Sequence, residues 1–396
     1  MSVWKRKDGR YGAKRVVTQD DGRNRLVQVT AGTRREALAR LDDACRRAAV
    51  GKPTRDSSAT LAVTAARWVE ITLASSDRAA TTKELYAGEV RRHLIGAGTG
   101  GGTATALPSP ASDRSPHVRV GQITLRRLRP SDIEEFLLYL ERRGFSATSR
   151  RRILQIIRAV LDTAMRDGLV GTNVARAVGR PSAPPAEARS YSPGQVSSLL
   201  AAAERERLSP LIVLLAHTGL RVGEALGLNW EEVTLGEDPT LRVNGTLVRL
   251  KGVGLTKTAG KTARARRSIP LDAAATHALA KWRQNQVRER LLAGSLWSQG
   301  PNWVFTTELG TPLDQRNLNR WYRNLSATAG VGGTFHTLRH TFASLLLADG
   351  ESVRTVADLM GHAKTSTTWD TYGHVAAETR RSATDRLARL MSKEWL

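Results

Sequence analysis

The stretch HTGLRVGEALGLNW, from His217 to Trp230, predicts two apolar helices separated by a sharp break. Thr218-Gly219 ends the first helix, and Arg221 then falls in the first turn of the second. Free backbone amides and the arginine fork together make such a position suited to an anion. The alternative is a salt bridge from Arg221 to Glu224, three residues further on. Both can hold at once, with Glu224 fixing the guanidinium in place.

A run of basic residues follows, between segments that are typical of strands. LKGVGLTKTAGKTARARRSIPL has six basic residues and no acid between Lys251 and Arg267. A basic β-hairpin of this kind can lie along a groove of nucleic acid, with lysine acting as a mobile point charge on phosphate. An exposed, solvated loop is the alternative for this stretch taken alone.

The stretch TFHTLRHTFASLLLADG places polar side chains ahead of an apolar stripe. His336 and Arg339 are three residues apart and therefore share one helical face. His336 and His340 are four apart, which is also the spacing of a pair of metal ligands. The zinc motif HExxH needs Glu where Thr337 stands, and no carboxylate third ligand is evident. We therefore expect no metal here, with zinc as the lesser interpretation.

A lone tyrosine lies near the end of the chain, in LMGHAKTSTTWDTYGHV, from Leu359 to Val375. Taken alone, Tyr372 is adequately explained as an aromatic side chain that caps a helix against the core. A free tyrosine has a pKa of about 10, so as a nucleophile at neutral pH it needs a base or a cationic environment. His336 and the arginines offer both.

The composition favours a polyanionic partner. The chain has 396 residues, and its 61 Lys and Arg against 37 Asp and Glu give a formal net charge of +24. Such an excess opposes compaction and is more easily explained by nucleic acid. A membrane surface is disfavoured, because no basic amphipathic helix ends the chain and no lipidation motif is present.

The cysteine content and the apolar segments indicate an intracellular protein. The single Cys45 excludes an internal disulfide and suits a reducing compartment. The N-terminal MSVWKRKDGRYG lacks the apolar core of a signal peptide. The longest aliphatic run, LIVLLA from Leu211 to Ala216, is too short to span a bilayer. We therefore expect a soluble protein.

The first part of the chain predicts a small sheet followed by a helix. YGAKRVVTQ and RLVQVTAG are β-rich, and the Asp-Gly pair between them is a hairpin signal. The helical run after them begins with Thr33 and Glu36 at the spacing of a capping box.

The middle of the chain, from Leu61 to about Val178, has helical periodicity. The Gly-, Pro-, Ser- and Thr-rich segment from Gly96 to His117 interrupts it as an irregular excursion; it has no GK[ST] ending and no preceding strand, so we reject a phosphate-binding loop. A linker at Gly179 to Gln195 precedes a last part of helices and β-rich segments, in which Asn244-Gly245 is a further hairpin signal.

Basic residues of several parts are candidate DNA contacts. Three arginines in the first turn of the helix in SATSRRRILQIIRAVLDTAMRDGL oppose the helix dipole, and a nearby phosphate would relieve that conflict. Solvated charges on a sheet or helix end are the alternative. The candidates are Lys5, Arg6, Lys7, Lys14, Arg150, Arg151, Arg152, Arg264, Arg266 and Arg267.

Four strings, in this order, resemble the catalytic domain of the tyrosine recombinases, in particular the phage-type and integrative-element integrases. They are AHTGLRVGEALGL, KTARARRSIPL, FHTLRHTFAS and LMGHAKTSTTWDTYGH. The resemblance covers the last half of the chain closely and the remainder more loosely. It implies a mainly α fold with α+β parts. The expected domains are a β-rich arm-binding domain at 1–50 (a three-stranded sheet plus a helix), a helical core-binding domain at 60–180 with a Gly-rich insertion at 96–117, and a mixed α/β catalytic domain at 187–396.

The resemblance also implies a role for polar residues of these strings. Arg221 and Arg339 would clamp the scissile phosphate, with Glu224 in support. His336 would assist proton transfer, and His362 would hydrogen-bond a non-bridging oxygen. Tyr372 would be the nucleophile that forms a 3′-phosphotyrosyl bond.

The lysine that protonates the departing 5′ oxygen in this family maps best to Lys261. In KTARARRSIPL the Lys-Thr pair precedes the Arg-Arg-x-Ile-Pro-Leu run as it does in many integrases. Lys257, which is also followed by Thr, is the alternative.

The implied function is that of a site-specific recombinase, or integrase, that cleaves and rejoins DNA to integrate or excise a mobile element. The implied partners are double-stranded attachment sites, a homotetramer on DNA, and accessory DNA-bending or directionality proteins, with no membrane. No cofactor is expected, since the phosphotyrosyl link preserves the bond energy. The expected location is the bacterial cytoplasm, at the nucleoid. A type IB topoisomerase and a non-catalytic DNA-binding regulator are the competing functions.

Overall fold

A computed structural model shows the fold of the protein. It describes residues 1–6, 8–18, 24–49, 58–96, 120–182, 189–260, 266–362, 365, 366, 368, 369 and 372. Contacts between Cα atoms divide the chain into two units, Met1–Pro185 and Ala186–Leu396. The division into three domains stays a prediction. In the part of the chain that the structure describes, every helix is too short or too polar to serve as a membrane span.

The N-terminal sheet has three antiparallel strands. They are β1 (Ser2–Lys5), β2 (Tyr11–Thr18) and β3 (Asn24–Ala31), in the order β1-β2-β3, and helix α1 (Arg34–Ala49) follows. The register pairs Thr18 with Asn24, so the predicted Asp-Gly signal lies between neighbouring strands although its residues lie outside the described ones. The Thr33 hydroxyl accepts a hydrogen bond from the Glu36 amide and starts α1, as the capping-box spacing predicts.

The rest of the first unit is helical, and its core is built from the predicted apolar stripes. Ile153, Ile157 and Leu161 are buried on one face of the longest helix of this unit. The helices are α2 (Leu61–Arg67), which continues as a π-helix (Trp68–Leu73), α3 (Ala80–Val90), which continues as a π-helix (Arg91–Ile95), α4 (Pro130–Arg142), α5 (Ala147–Arg166) and a short 3₁₀ helix (Val174–Arg176).

The second unit combines helices with two small sheets. Its helices are α6 (Pro193–Ala203), α7 (Ser209–Thr218), α8 (Val222–Leu226), α9 (Ala273–Ala293), α10 (Gln315–Thr328), α11 (Phe335–Asp349) and α12 (Val353–Met360), with 3₁₀ turns at Trp230–Glu232 and Gly294–Leu296. One antiparallel sheet has the order β4-β5-β8, formed by Val233–Thr234, Thr240–Val243 and Arg267–Pro270. The other is a hairpin of β6 (Gly245–Leu250) and β7 (Gly254–Ala259). The predicted fold class, mainly α with α+β parts and a β-rich N-terminus, is confirmed.

The hairpin predicted at Asn244-Gly245 is wrong, because the chain passes there from one sheet to the other. Strand β5 pairs with β4 and β8, whereas β6 pairs with β7. Gly245 serves close packing instead: a Cβ atom at this position would lie 2.5 Å from the Thr258 carbonyl oxygen. The Asn244 amide donates to the Glu232 carboxylate at 3.1 Å. The tight turn lies further on, between Leu250 and Gly254.

Candidate active site

Arg221 stands at the entrance of α8, where two glycines fix the backbone. Gly219 ends α7 in the left-handed conformation, with φ of 60°, which L-residues other than Gly avoid. Gly223 lets α8 approach β6, because a Cβ atom there would lie 2.7 Å from Cγ2 of Thr246. Arg221 is therefore the N-cap of α8 rather than a residue of its first turn.

The predicted salt bridge between Arg221 and Glu224 is present. One carboxylate oxygen of Glu224 accepts from the Arg221 amide at 3.0 Å, and the other accepts from the guanidinium at 2.8 Å. The Arg221 side chain is nevertheless 42% exposed, so the guanidinium is held at the helix N-terminus and is open to an anion.

Glu224 lies between two arginines that come from different elements. Arg267, on β8, donates to the Glu224 carboxylate at 2.9 Å and to the Leu359 carbonyl at 2.6 Å. Burial alone would raise the pKa of Glu224, but the hydrogen bonds and charges of Arg267 and Arg221 outweigh it and hold that pKa below its ordinary value. Arg267 thus braces α8 and the end of α12, and its role as a DNA contact stays a prediction.

Arg339, on α11, is buried and is held by uncharged partners. Its guanidinium donates to the carbonyl oxygens of Gly219 and Met360, each at 2.6 Å, and lies 3.0 Å from Nε2 of His362. The side chain is 2% exposed. Burial and the neighbouring charge of Arg221 lower its pKa to about 9, so at neutral pH it keeps a positive charge that no carboxylate among these partners cancels.

His362 lies directly after α12 and joins this network. If Nε2 accepts from Arg339, then Nδ1 carries the proton and donates to Oγ1 of Thr368, 2.8 Å away. Burial and the positive charge of Arg339 lower the pKa of His362 to about 4. The imidazole is therefore neutral at physiological pH, in a tautomer that its two neighbours fix.

Tyr372 is buried against the end of α11 and beside α12. Its side chain is 1% exposed and packs in a cluster with Leu347, Val356 and Met360. Its hydroxyl is hydrogen-bonded to Nδ1 of His340. Burial raises the pKa of Tyr372 to about 12, although the charge of Arg339 acts in the opposite direction. The core-packing interpretation of this residue and a chemical one are both compatible with the geometry.

The two histidines of α11 meet edge to face, with ring centroids 4.5 Å apart. Burial and the charges of Arg339 and Arg221 lower the pKa of His336. The contact with Tyr372 uses Nδ1 of His340. Within the described ranges, no group of three or more His, Cys, Asp and Glu side chains has the arrangement of a metal site.

A cavity of about 490 Å³ opens where these elements meet. Arg221, His336 and Arg339 line it together, so the structure brings three of the predicted site residues to one concave surface. Gln315, Asn319 and Arg323 of α10 line the same cavity. A cavity with converging arginines and a neutral imidazole can hold an oxyanion and stabilise added negative charge.

The two candidate lysines differ in what the structure says of them. Lys257, on β7, is paired with both carboxylate oxygens of Glu232, at 2.6 and 2.8 Å. Lys261 and Arg264 lie outside the described residues. The pairing of Lys257 favours Lys261 as the mobile lysine, and that assignment stays a prediction.

The candidate DNA contacts at the start of α5 have partners within the first unit. Arg150 pairs with Glu141 at 2.6 Å, and Arg152 pairs with Glu89 at 3.3 Å. Arg151 donates to the carbonyl oxygen of Pro181 at 2.6 Å. These partners relieve the conflict with the helix dipole without a phosphate.

The remaining candidate DNA contacts are exposed basic side chains. Lys5 lies over the ring of Tyr11 and Lys14 over the ring of Trp4, at 5.9 and 5.8 Å from the ring centroids. Arg6, 3.6 Å from the carboxylate of Asp8, and Arg266 are also exposed, whereas Lys7 lies outside the described residues.

Sequence reasoning missed three residues of this site. Arg323 had no motif to mark it, and only the packing of α10 brings it to the cavity. The bracing role of Arg267 was hidden within a basic run. His340 was noticed only as half of a metal pair, although its four-residue spacing from His336 was the available signal.

Comparison with known proteins matches most of the second unit to a protein family. Residues 190–379 match the model of the phage integrase family. The tyrosine recombinase XerC of Mesorhizobium japonicum is 32% identical over 254 residues, which are 62% of this chain and 74% of that protein.

Two solved structures have a similar fold. The integrase of the Tn1549 transposon, in complex with transposon right end DNA, has a TM-score of 0.65 at 21% identity and covers 83% of this chain and 99% of that chain. A lambda integrase tetramer bound to a Holliday junction has a TM-score of 0.53 at 19% identity, over 92% of this chain and 94% of that chain. At these identities the likeness is one of fold.

Proposed function

The chain belongs to the tyrosine recombinase family, and we propose that it recombines attachment sites in double-stranded DNA to integrate or excise a mobile element. It is a site-specific recombinase that cleaves and rejoins DNA strands. Cleavage forms a 3′-phosphotyrosyl link. Because this link preserves the energy of the phosphodiester for rejoining, the proposed reaction needs no nucleotide cofactor.

The buried charge of Arg339 beside the cavity, which is hydrogen-bonded to carbonyl oxygens and an imidazole, is the observation that carries this proposal. A buried guanidinium with carbonyl and imidazole partners is an unfavourable arrangement until an anion arrives. The scissile phosphate would lie against Arg221 and Arg339, and the extra charge of the phosphorane would strengthen both contacts. His336, which lines the same cavity, would add a donor, and His362 orients the Arg339 guanidinium through their hydrogen bond.

Tyr372 is the proposed nucleophile. Its hydroxyl oxygen attacks the phosphorus, the bond from phosphorus to the 5′ oxygen breaks, and Lys261 protonates the leaving oxygen. The reverse sequence, with a 5′ hydroxyl as nucleophile, rejoins the strand. A phenol with a pKa of about 12 is a poor nucleophile by itself, so the phosphate must be activated by the arginines and the phenol must lose its proton to a neighbour.

Exchange between two duplexes requires four cleavages, and we propose that a homotetramer on DNA performs them. The first unit, with its basic sheet and helices, would add contacts to DNA outside the cleavage point. Accessory DNA-bending or directionality proteins, and a place at the nucleoid in the bacterial cytoplasm, belong to the same proposal.

A nicked duplex that traps the covalent intermediate tests the nucleophile. The substrate carries the candidate attachment site from the DNA that flanks the element, and the short strand released by cleavage diffuses away. We expect the wild-type protein to give a covalent protein–DNA band without metal or ATP, and Tyr372→Phe to give none while it still binds the duplex. Tyr86→Phe, which keeps the ring on which Arg78 packs, is the matched control and should cleave normally.

The competing functions give different results in the same system. A band of equal intensity from Tyr372→Phe would remove Tyr372 from the chemistry, and tight binding without any band would favour a regulator. Relaxation of a supercoiled plasmid that lacks paired sites, without strand exchange on one that has them, would favour a topoisomerase.

A further inference from the structure

His340 makes the contact that matters most for the proposed nucleophile. It lies on α11, and its Nδ1 atom is hydrogen-bonded to the Tyr372 hydroxyl, with the two ring centroids 5.5 Å apart. Among the residues that the structure describes, His340 is the hydrogen-bond partner shown for that hydroxyl. Because the tyrosine side chain is 1% exposed, its phenolic proton passes more readily to this imidazole than to bulk water.

The two side chains are in the protonation states from which such a transfer starts, and their pKa values keep the resting proton on the tyrosine. Burial, with the neighbouring His336 and the charge of Arg339, lowers the pKa of His340 to about 4. The imidazole is thus neutral at physiological pH, and with its own proton on Nε2 it presents Nδ1 as an acceptor. Tyr372 is protonated under the same conditions. A donor phenol and an acceptor imidazole are therefore already in contact before DNA binds.

The surroundings of His340 explain why it would accept a proton only when substrate is present. The titratable and charged groups that act on it are His336 and Arg339 on its own helix and Tyr372, and it acts in turn on His362 after α12. A phosphate bound against the arginines would offset the repulsion between Arg339 and an imidazolium. Negative charge that accumulates during attack would favour the protonated ring further.

We propose that His340 is the catalytic base of strand cleavage, accepting the phenolic proton of Tyr372 on Nδ1 as the hydroxyl oxygen bonds to phosphorus. The proposal rests on the assignment of Tyr372 as the nucleophile. As the new O–P bond forms, the bond to the 5′ oxygen breaks, and that oxygen takes a proton from the lysine of the proposed mechanism. Rejoining reverses each step, and His340 returns its proton to the phenolate.

The two histidines of α11 then have separate tasks. His336 lines the cavity and faces the phosphate, whereas His340 contacts the tyrosine. Their rings touch edge to face. A neutral His336 therefore opposes protonation of His340 less than a protonated His336 would. The proton-transfer role that the family resemblance implies for His336 passes, on this geometry, to His340.

The test uses the nicked duplex under single-turnover conditions with saturating protein. His340→Asn can hydrogen-bond the hydroxyl but cannot accept its proton at neutral pH, and we expect cleavage at pH 7 to fall by roughly 10²–10³, within the range for a general base. The decisive readout is the pH profile. Wild-type cleavage should be nearly flat between pH 6 and 8, whereas the variant should gain about tenfold per pH unit, because hydroxide must then remove the proton.

Several controls separate chemistry from folding. His277 is an exposed histidine of α9, and His277→Asn should leave the cleavage rate and its pH profile unchanged. The melting temperature and the duplex affinity of His340→Asn should match those of the wild type. If that variant melts early, His340→Gln replaces it. Added imidazole should restore cleavage to His340→Ala by at least about tenfold and leave Tyr372→Phe inactive.

Three results would overturn the assignment of His340. They are a variant that cleaves as fast as the wild type, one that cleaves faster because a restraint on Tyr372 has been lost, and one that is slower but keeps the wild-type pH profile. In all three the wild type still forms its covalent band, so the proposed function survives. A wild type that binds the substrate but forms no band would instead overturn the nucleophile assignment, and this inference with it.

Discussion

The arginines at the start of α5 and Arg339, which lines the cavity, all need partners for a charged guanidinium, and the partners are of different kinds. Arg150 and Arg152 are paired with carboxylates at 2.6 and 3.3 Å. Arg339 is held by two carbonyl oxygens and by a neutral His362. A carboxylate cancels the charge of an arginine, whereas a carbonyl orients the charge and leaves it in place. The comparison teaches that the partners and exposure of each arginine, and not the number of arginines, decide which charge is available to an anion.

Replacement of Arg339 by alanine should give the largest effect. The phosphate would lose one of its two arginine contacts, and we expect cleavage of the nicked duplex by the folded fraction to slow by about 10³. Arg158→Ala is the matched control, because Arg158 also donates to two carbonyl oxygens, those of Ala175 and Val178. It should lower the melting temperature and change the cleavage rate of the folded fraction by less than about threefold.

Equal losses of cleavage in Arg339→Ala and Arg158→Ala would contradict this expectation. The loss would then come from folding, which both carbonyl-bound arginines support, and not from contact with the phosphate. Arg339→Lys sharpens the test: it keeps the charge but cannot bridge two carbonyl groups, so a loss close to that of alanine would assign the effect to geometry.

The two candidate lysines allow the same comparison, between a cation that is paired with a carboxylate and one proposed to act on the substrate. Lys257 is compensated by the Glu232 carboxylate, so Lys257→Met should leave cleavage within about threefold. Lys261→Ala should slow it by about 10², as the loss of a general acid does. A substrate with sulfur in place of the 5′ bridging oxygen, which leaves without protonation, should restore Lys261→Ala. The reverse ranking would exchange the two roles.

Glu224→Gln tests the carboxylate that holds both Arg221 and Arg267. It keeps the shape but leaves Arg221 and Arg267 to repel each other, and we expect about a tenfold slower cleavage and a stability loss of about 2 kcal/mol. The folded state lowers the pKa of Glu224, so its ionised form stabilises the fold above the unfolded pKa of about 4.3 and this contribution is lost as pH falls through the folded pKa.

Denaturant unfolding of both proteins across pH checks this sign. The stability difference should be constant from pH 6 to 8 and shrink in acid. A difference that grew in acid would mean that the carboxyl is needed in its protonated form.

Arg152→Gln should give the smallest effect. Its partner Glu89 has a pKa held low by the hydrogen bond of His93 and by nearby arginines, although burial acts against this, so the ion pair persists at neutral pH. We expect the Kd for duplex DNA to change by less than about threefold, with the same slope of log Kd against log salt. A slope smaller by about one would show that Arg152 contacts a phosphate, as its position in the sequence suggested.

Sequence periodicity was sufficient for most of the fold because those elements are governed by local burial patterns. The stripe through Ile153, Ile157 and Leu161 predicted α5, and two β-rich runs with an Asp-Gly pair between them predicted β2 and β3. The hairpin prediction at Asn244-Gly245 was wrong because Gly245 is needed for a tertiary contact. It allows the Thr258 carbonyl to approach closely, and the local sequence does not indicate that contact. The Gly-rich segment after Gly96 and the tail after Tyr372 lie outside the described residues.

The site was predictable as far as residue types and order are concerned. Arg221, His336 and Arg339, from two of the four strings, line one cavity, whereas His362 and Tyr372 are not among its lining residues. What the sequence could not supply is the identity of each partner. A charge in a sequence looks the same whether a carboxylate, a carbonyl or solvent meets it, and for this reason His340 and Arg267 were assigned other roles.

Arg339 has a second consequence, for how relatives of this chain should be judged. The carbonyls it binds belong to Gly219, at the end of α7, and Met360, at the end of α12. One guanidinium therefore caps the C-termini of two helices, where carbonyl groups otherwise lack donors. A descendant that had lost all recombinase activity would still be stabilised by these two hydrogen bonds. Its presence in a sequence is thus weak evidence of activity, and Tyr372 together with Arg221 is the more informative signature of a working enzyme.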